Sequence, residues 1–328
     1  MGKLPCDVRR TVLTKAHDTT DPAHGCEPRS RRLQDYLRLG AINLDKPRGP
    51  TSHEVTAWVK RVLEVEKAGH GGTLDPAVSG VLVVAIEDAT KVLQAFLPAG
   101  KEYVCVMHLH GNVEDERLAQ VLGEFTGKIY QKPPLRAAVR RQVRTKEIYY
   151  IEMIEREDRN VLIRVGCEAG TYMRKLCHDI GEALGCGAHM KELRRTRVGM
   201  VDEKSSVSLQ DLADAYAIWK EEGEEKFLRK VIVPIEEILG HLPKIVVRDG
   251  AVDALCHGAD LAAPGVLKVD SGIGKGELVG IFTLKGELVE LARTTMGSEE
   301  IVDADHGIVA KPERVVMAPG TYPRAWKS

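Results

Sequence analysis

A chain of 328 residues with 43% hydrophobic and 29% charged residues suits a globular protein of about two or three domains, and aromatics at 5% leave its core mostly aliphatic. Basic and acidic residues balance at 47 against 48, so the net charge of −1 excludes a uniformly basic nucleic-acid-binding chain. No apolar run reaches bilayer length and the seven cysteines form no CxxC pair, which argues against a membrane span, a disulfide framework and a structural zinc site.

Residues 1–39 are polar and read as an N-terminal extension, with paired arginines at Arg9-Arg10 and Arg31-Arg32. Residues 41–45 predict a strand, ended by the turn Lys46-Pro47-Arg48-Gly49-Pro50. Thr51 and Glu54 carry the capping-box signature of a helix whose apolar stripe is Val55, Trp58, Val59, Val62 and Leu63. Next comes Gly69-His70-Gly71-Gly72-Thr73-Leu74-Asp75-Pro76, then Ser79-Gly80. The glycines permit a sharp turn and close approach to a ligand, and 81–86 reads as a buried strand. Asp75 has two readings. It is a helix N-cap with Pro76 at N1, or a carboxylate that a rigid strand presents on a tight loop. Gly80 and the β-branched residues after it leave little helix for a cap to serve.

Residues 89–97 predict a short helix. Residues 101–111 predict a strand with Tyr103 near its start, where packing is the ordinary role of a tyrosine. Residues 114–127 predict an amphipathic helix with Leu118, Val121, Leu122 and Phe125 inward. Pro133-Pro134 excludes helix and central strand, and Arg136, Arg140, Arg141, Arg144 and Lys146 follow as a basic arm suited to an RNA backbone. The window 128–197 holds 16 Lys/Arg against 9 Asp/Glu; a phosphate-facing surface and a plain solvated face are both open readings. Residues 149–154 and 160–165 predict paired strands. Thr171 is expected to cap a helix that buries Tyr172, Met173, Leu176, Ile180, Ala183 and Leu184 and ends at Gly185. Arg174 stands in its first turn, where the helix dipole disfavours a cation, which suggests a specific partner. Residues 187–197 predict another strand.

A helix over 208–220, an acidic stretch and a second short helix then lead to Pro234. The remainder is punctuated by glycine, with short strands expected at 242–247, 266–269, 278–284, 288–293 and 315–318, the pattern of a small β-barrel. His257-Gly258-Ala259-Asp260 and Ala263-Pro264-Gly265 read as turns of that barrel or as a surface that RNA approaches closely.

The stretch Gly69 to Pro76, with Ser79-Gly80, resembles the catalytic motif of the TruB family of pseudouridine synthases. Further matches follow the family order: residues 44–53, in which Lys46 and Pro47 support the catalytic loop, Lys101-Glu102-Tyr103, and Gly170-Thr171-Tyr172-Met173-Arg174. One departure is Asn112 after Gly111, where related sequences carry aspartate. Residues 251–265 resemble a PUA RNA-binding domain. The resemblance covers roughly residues 41–320 and is closest to the archaeal, H/ACA RNA-guided, dyskerin-type branch. It implies an α+β fold: the 1–39 extension, a pseudouridine synthase catalytic domain on a mixed sheet at 40–235, and a small β-barrel PUA domain at 236–328. The implied reaction isomerises uridine in RNA to pseudouridine, with no cofactor and no metal.

In that family the aspartate matching Asp75 is catalytic. Arg174 pairs with it and keeps it ionised in a dry pocket, and Tyr103 stacks on the target base. His70, Gly71, Thr73, Tyr172 and Leu193 shape the pocket and the flipped-out RNA. Arg136, Arg140, Arg141 and Arg144 grip RNA, as do His257, Gly258 and Ala259 of the PUA domain. The implied partners are an H/ACA guide RNA, an rRNA or tRNA substrate and small accessory proteins of the H/ACA complex, in the cytoplasm and away from membranes. Open alternatives are action without a guide on the T-loop uridine of tRNA, a mainly structural guide-RNA scaffold, and a PUA-type RNA binder with an inactive synthase fold.

Overall fold

The computed structural model describes residues 2–132 and 142–324. Its strands are, in chain order, β1 (Val12–Thr14), β2 (Gly40–Lys46), β3 (Ala68–His70), β4 (Ser79–Ile86), β5 (Lys101–Leu109), β6 (Gly127–Gln131), β7 (Arg144–Glu157), β8 (Asn160–Cys167), β9 (Ala188–Val198), β10 (Val201–Asp202), β11 (Val233–Pro234), β12 (Lys244–Val247), β13 (Leu261–Ala262), β14 (Val266–Asp270), β15 (Leu278–Phe282), β16 (Leu288–Thr294) and β17 (Ile308–Val315). They form two sheets, ordered β11-β2-β4-β9-β5-β8-β7-β6 (with β3 on β4 and β10 on β9) and β1-β14-β12-β15-β16-β17-β13. The first is mixed because β9 runs parallel to β4 and antiparallel to β5.

The apolar run Val81-Leu82-Val83-Val84-Ala85-Ile86 is buried on both sides of the sheet, as a continuous hydrophobic strand must be. Leu82, Val84 and Ile86 face the helices Ser52–Val62 and Leu209–Glu222, with Val55, Val59 and Leu212 between them. Val81, Val83 and Ala85 face the other way, toward Ala89, Val92 and Phe96, and that core continues into Phe282, Leu288 and Leu291 of the second sheet. Each Val, Leu, Ile or Phe side chain so buried contributes about 1.5–3 kcal/mol, and the two sheets share this core. At the far end the helices Asp115–Glu124 and Met173–Leu184 cover Cys105, Met107, Val161 and Ile163.

The N-terminal residues have a defined place. β1 adds an antiparallel edge strand beside β14. Arg31 meets Glu236 in a buried bidentate pair at 3.0 and 2.7 Å, and Glu236 also accepts the Leu288 backbone N–H. Residues 2–39 thus contact both sheets, with Gly2 on Glu152 of β7, Asp7 on Arg197 of β9 and β1 on β14.

Several elements differ from expectation. Residues 87–96 form a 3₁₀ helix, whose three-residue turn stacks Ala89, Val92 and Ala95 on one buried face. The last strand is β17, upstream of 315–318; a register shift beside Leu291 and Ala292 admits Pro312 into it. The stretch 251–265 begins inside a helix, Asp249–Cys256, that buries Val252, Leu255 and Cys256. Thr171 does not cap the next helix. Its hydroxyl donates to the Glu168 carbonyl, Tyr172 is the N-cap, and Ala183 is exposed. Arg144 and Lys146 belong to β7, and Lys146 is tied to Glu168 and the Ala169 carbonyl at 2.7 and 2.6 Å. Among the described residues no helix is long and apolar enough to cross a membrane.

Candidate active site

Asp75 lies between β3 and β4. The Val78 backbone N–H donates to the Asp75 carbonyl at 2.9 Å, so Asp75 opens a tight turn with Pro76 second in it, and no helix follows. The N-cap reading is therefore overturned. Four groups fix this turn. The Ser52 hydroxyl, fully buried, accepts from the Leu74 N–H at 2.8 Å and donates to the Leu74 carbonyl at 3.1 Å. The Gly49 N–H donates to the Pro76 carbonyl at 2.8 Å. The buried Lys46 ammonium donates to the Pro47 and Val78 carbonyls at 2.8 and 2.9 Å. Arg195, also buried, donates to the Gly72, Thr73 and Val81 carbonyls. Gly80 sits in the left-handed region at φ +106°, where a Cβ would lie 2.1 Å from the Arg195 carbonyl oxygen. Only glycine allows β4 and β9 to meet there.

The turn forms one wall of a cleft of about 420 Å³. Across it stand Tyr103 from β5, Tyr172 and Arg174 from the start of the helix Met173–Leu184, and Met190 and Leu193 from β9. The Arg174 guanidinium donates to Asp75 at 3.3 Å. Their side chains are 62% and 63% exposed, so the pair does not sit in the expected dry pocket. Burial raises the Tyr103 phenol above its ordinary range, although the Arg195 guanidinium beside it acts the other way. The neutral phenol is kept at physiological pH. Lys101 lines the cleft floor and spends its ammonium on the Phe96, Leu97 and Ala99 carbonyls at 2.9, 2.9 and 2.7 Å. Burial, with the nearby Arg195, pushes it down to about 8.

Of the residues expected at the site, Asp75, Tyr103, Arg174, Thr73, Tyr172 and Leu193 line this cleft together. His70 does not. It lies on β3 in a separate groove, edge-on to His53 with ring centres 4.9 Å apart, and burial followed by His53 holds its imidazole below the usual range. Gly71 packs under Phe96. Arg144 begins β7 opposite Gln131, while Arg136, Arg140 and Arg141 lie outside the described residues. His257, Gly258 and Ala259 are exposed at the end of the helix Asp249–Cys256, in the second sheet's half of the molecule. Gly258 has φ +83° there, and Asp260 beside it enters a groove with Arg248, Ala251 and Pro264.

Sequence reasoning missed Arg195 and Gln131. Gln131 is buried and grips the Tyr172 backbone twice, accepting its N–H at 2.9 Å and donating to its carbonyl at 3.2 Å. A polar side chain just before Pro133-Pro134 reads as loop, and Arg195 reads as one more member of a basic run. No local signal marks either as buried.

Comparison with known proteins places these features in a family. Residues 60–116 and 110–173 match the TruB family pseudouridylate synthase (N terminal domain), residues 174–240 the tRNA pseudouridylate synthase B C-terminal domain, 243–316 the PUA domain, and 3–56 the DKCLD (NUC011) domain. A probable tRNA pseudouridine synthase B of Methanopyrus kandleri is 60% identical over 324 residues, 99% of this chain and 96% of that protein. Its counterpart in Methanosarcina mazei is 54% identical over 325 residues, again 99% and 96%. Among solved structures, a chain of a Cbf5-Nop10-Gar1 complex superposes with a TM-score of 0.95 at 54% identity, covering 98% of both chains. A chain of an H/ACA RNP bound to a substrate RNA containing 2'-deoxyuridine gives 0.93 at 52%, covering 99% of this chain and all of that one at 100%.

Proposed function

The chain belongs to the TruB family of pseudouridylate synthases, and we propose that it isomerises uridine to pseudouridine at the Asp75 cleft as the catalytic subunit of an H/ACA guide RNA–protein complex. The observation that carries this reading is the convergence of Asp75, Arg174, Tyr103 and Tyr172 on one cleft of about 420 Å³. A uracil inside a helix cannot reach Asp75, so the target nucleotide must leave its stack at a cost of a few kcal/mol. Stacking on Tyr103 offsets roughly 1–3 kcal/mol of that. The flipped nucleotide covers the Asp75–Arg174 pair and excludes water from it, which strengthens their attraction. Asp75 then serves as nucleophile on the nucleoside, or as the base that removes a ribose proton to give a glycal. Arg174 holds the carboxylate charged and oriented.

In this reading residues 1–39 are an extension, 40–235 the catalytic domain and 236–328 a PUA domain. Residues Arg136 to Arg144 grip the RNA backbone, and His257, Gly258 and Ala259 contact guide RNA. His70 and Gly71 act from outside the cleft, on RNA that passes over β3. The partners are a guide RNA, an rRNA or tRNA substrate and small accessory proteins, supported by the likeness to chains solved with Nop10, Gar1 and H/ACA RNA. Cytoplasmic residence belongs to the same reading, supported by seven free thiols. The relatives named probable tRNA pseudouridine synthase B favour a second reading, action on tRNA, which this chain would carry out on its own.

The test is tritium release from RNA labelled at uridine C5, with wild type and Asp75→Asn. It is run on tRNA alone, then on a guided target with accessory proteins. Release in the guided mixture alone, abolished by the substitution, supports the first reading; full-rate release on bare tRNA favours the second. Full release by Asp75→Asn removes Asp75 from the chemistry.

A further inference from the structure

We propose that Cys105 and Cys177 are a modification site, a buried dithiol that a small two-electron oxidant closes to a disulfide, and that closure slows turnover at the Asp75 cleft. The second clause rests on the reading of that cleft as the synthase site.

The two sulfurs stand 3.6 Å apart across 72 residues of chain, and both residues are fully buried. Neither takes part in the chemistry above. Cys105 lies on β5 two residues after Tyr103, so alternation puts both side chains on the same face of the strand. Cys177 lies on the helix Met173–Leu184, one turn after Met173 and three residues after Arg174. This helix packs on that strand face, and Tyr103, Cys105, Met173 and Cys177 share one hydrophobic cluster. The contact therefore bridges the two elements that carry Tyr103 and Arg174, one layer beneath the cleft.

A disulfide needs the sulfurs at about 2.05 Å. Closure must draw them together by about 1.5 Å, through side-chain rotation and a shift of the helix on the strand. The helix start holds Arg174 against Asp75, and a displacement of about 1 Å at a reacting group is enough to cost orders of magnitude in rate.

Chemistry selects the oxidant. The neighbouring Cys105 thiol, followed by burial, holds Cys177 well above the ordinary thiol range, so it is a protonated thiol. Exchange with a bulky disulfide needs an accessible thiolate, and the site offers neither access nor charge. Hydrogen peroxide is small enough to answer the first limit; it too acts through the thiolate, so the raised thiol range makes closure slow. Hydrogen peroxide oxidises one sulfur to a sulfenic acid, its O–O bond breaking and one water leaving. The second thiol attacks that sulfur, the S–S bond forms, and a second water leaves. Two thiols and one peroxide give one disulfide and two waters.

The experiment treats the full-length protein with hydrogen peroxide, then denatures it in alkylating agent for peptide mapping. Tritium release on guided RNA is read before treatment, after it, and after dithiothreitol. The expected result is a Cys105–Cys177 linked peptide, a turnover loss of about tenfold that dithiothreitol reverses, and an unfolding midpoint raised by several degrees. Cys105→Ala and Cys177→Ala should each keep turnover after peroxide. Recovery of both cysteines as alkylated thiols overturns the site. A linked peptide with unchanged turnover overturns its effect on the cleft. The mapping needs no activity, so protein that releases no tritium under any condition refutes the synthase reading while the linkage is still decided.

Discussion

Asp75 and Arg174 show how little a functional ion pair need contribute to folding. Exposed pairs are worth about 0–1 kcal/mol, and both members here lie open to solvent. Asp75→Asn should therefore leave the unfolding midpoint unchanged while tritium release disappears, a separation that calorimetry beside the release assay would measure. Arg195 is the opposite case. Its buried guanidinium satisfies three carbonyls of the loop and of β4, so Arg195→Met strands those acceptors. We expect a loss of about 3 kcal/mol in urea unfolding, and turnover to fall with it because Gly72 and Thr73 lose their tether. Asp75 was legible through the ordered motif from Gly69 to Pro76, and Arg174 through its own motif and because a cation at a helix start is locally disfavoured. Arg195 and Gln131 carry no such mark. What distinguishes them is burial, which depends on strands up to about a hundred residues away.

Among the elements, β4 and β9 set the geometry of the cleft. Their parallel contact places Gly80 against Arg195 so closely that a methyl group has no room, and the φ of +106° disfavours any side chain. Gly80→Ala should lower stability by more than about 4 kcal/mol, read as lost soluble expression or a collapsed urea midpoint. Period-two alternation and the apolar run made β4 and β5 legible. The 3₁₀ helix at 87–96 was read as an ordinary helix because three- and four-residue spacings share so many positions over ten residues. β17 was misplaced because Pro312 disfavours a strand, and the extra residue beside it, Glu313, that lets it join is recognisable only from its pairing with Leu291 and Ala292 of β16.

At the scale of the whole molecule, the second sheet carries a polar group at its centre. Glu290 on β16 is fully buried with neither carboxylate oxygen hydrogen-bonded, and burial, aided by Asp260, pushes it up to about 8. A carboxyl whose folded value lies above its unfolded one contributes stability that is complete below the unfolded value. That contribution is lost as pH rises through the folded value. Stability should therefore decline from about pH 4.5 toward pH 8 through this group, and Glu290→Gln should flatten that decline and raise the unfolding midpoint at pH 8. Thermal melts across the range would check it. The placement of residues 2–39 belongs to this scale too. Arg31 pairs with Glu236, which also accepts the Leu288 N–H of the second sheet, and nothing in the first forty residues marks either β1 or that pair.

The amino-acid sequence by itself determined the family, the two-part α+β architecture, the loop that bears Asp75 and the residue types opposite it. Those features are written in short-range patterns: alternation, capping pairs, glycines at turns, and ordered motifs. Tertiary structure alone decided which cations are buried in the loop's support, that Asp75 opens a turn instead of a helix, that His70 and Gly71 face away from the cleft, and that two cysteines touch beneath it. The reason is physical. Local conformation follows from a residue's neighbours in the chain, whereas burial, ion pairing and contact follow from which distant segments the sheet brings together.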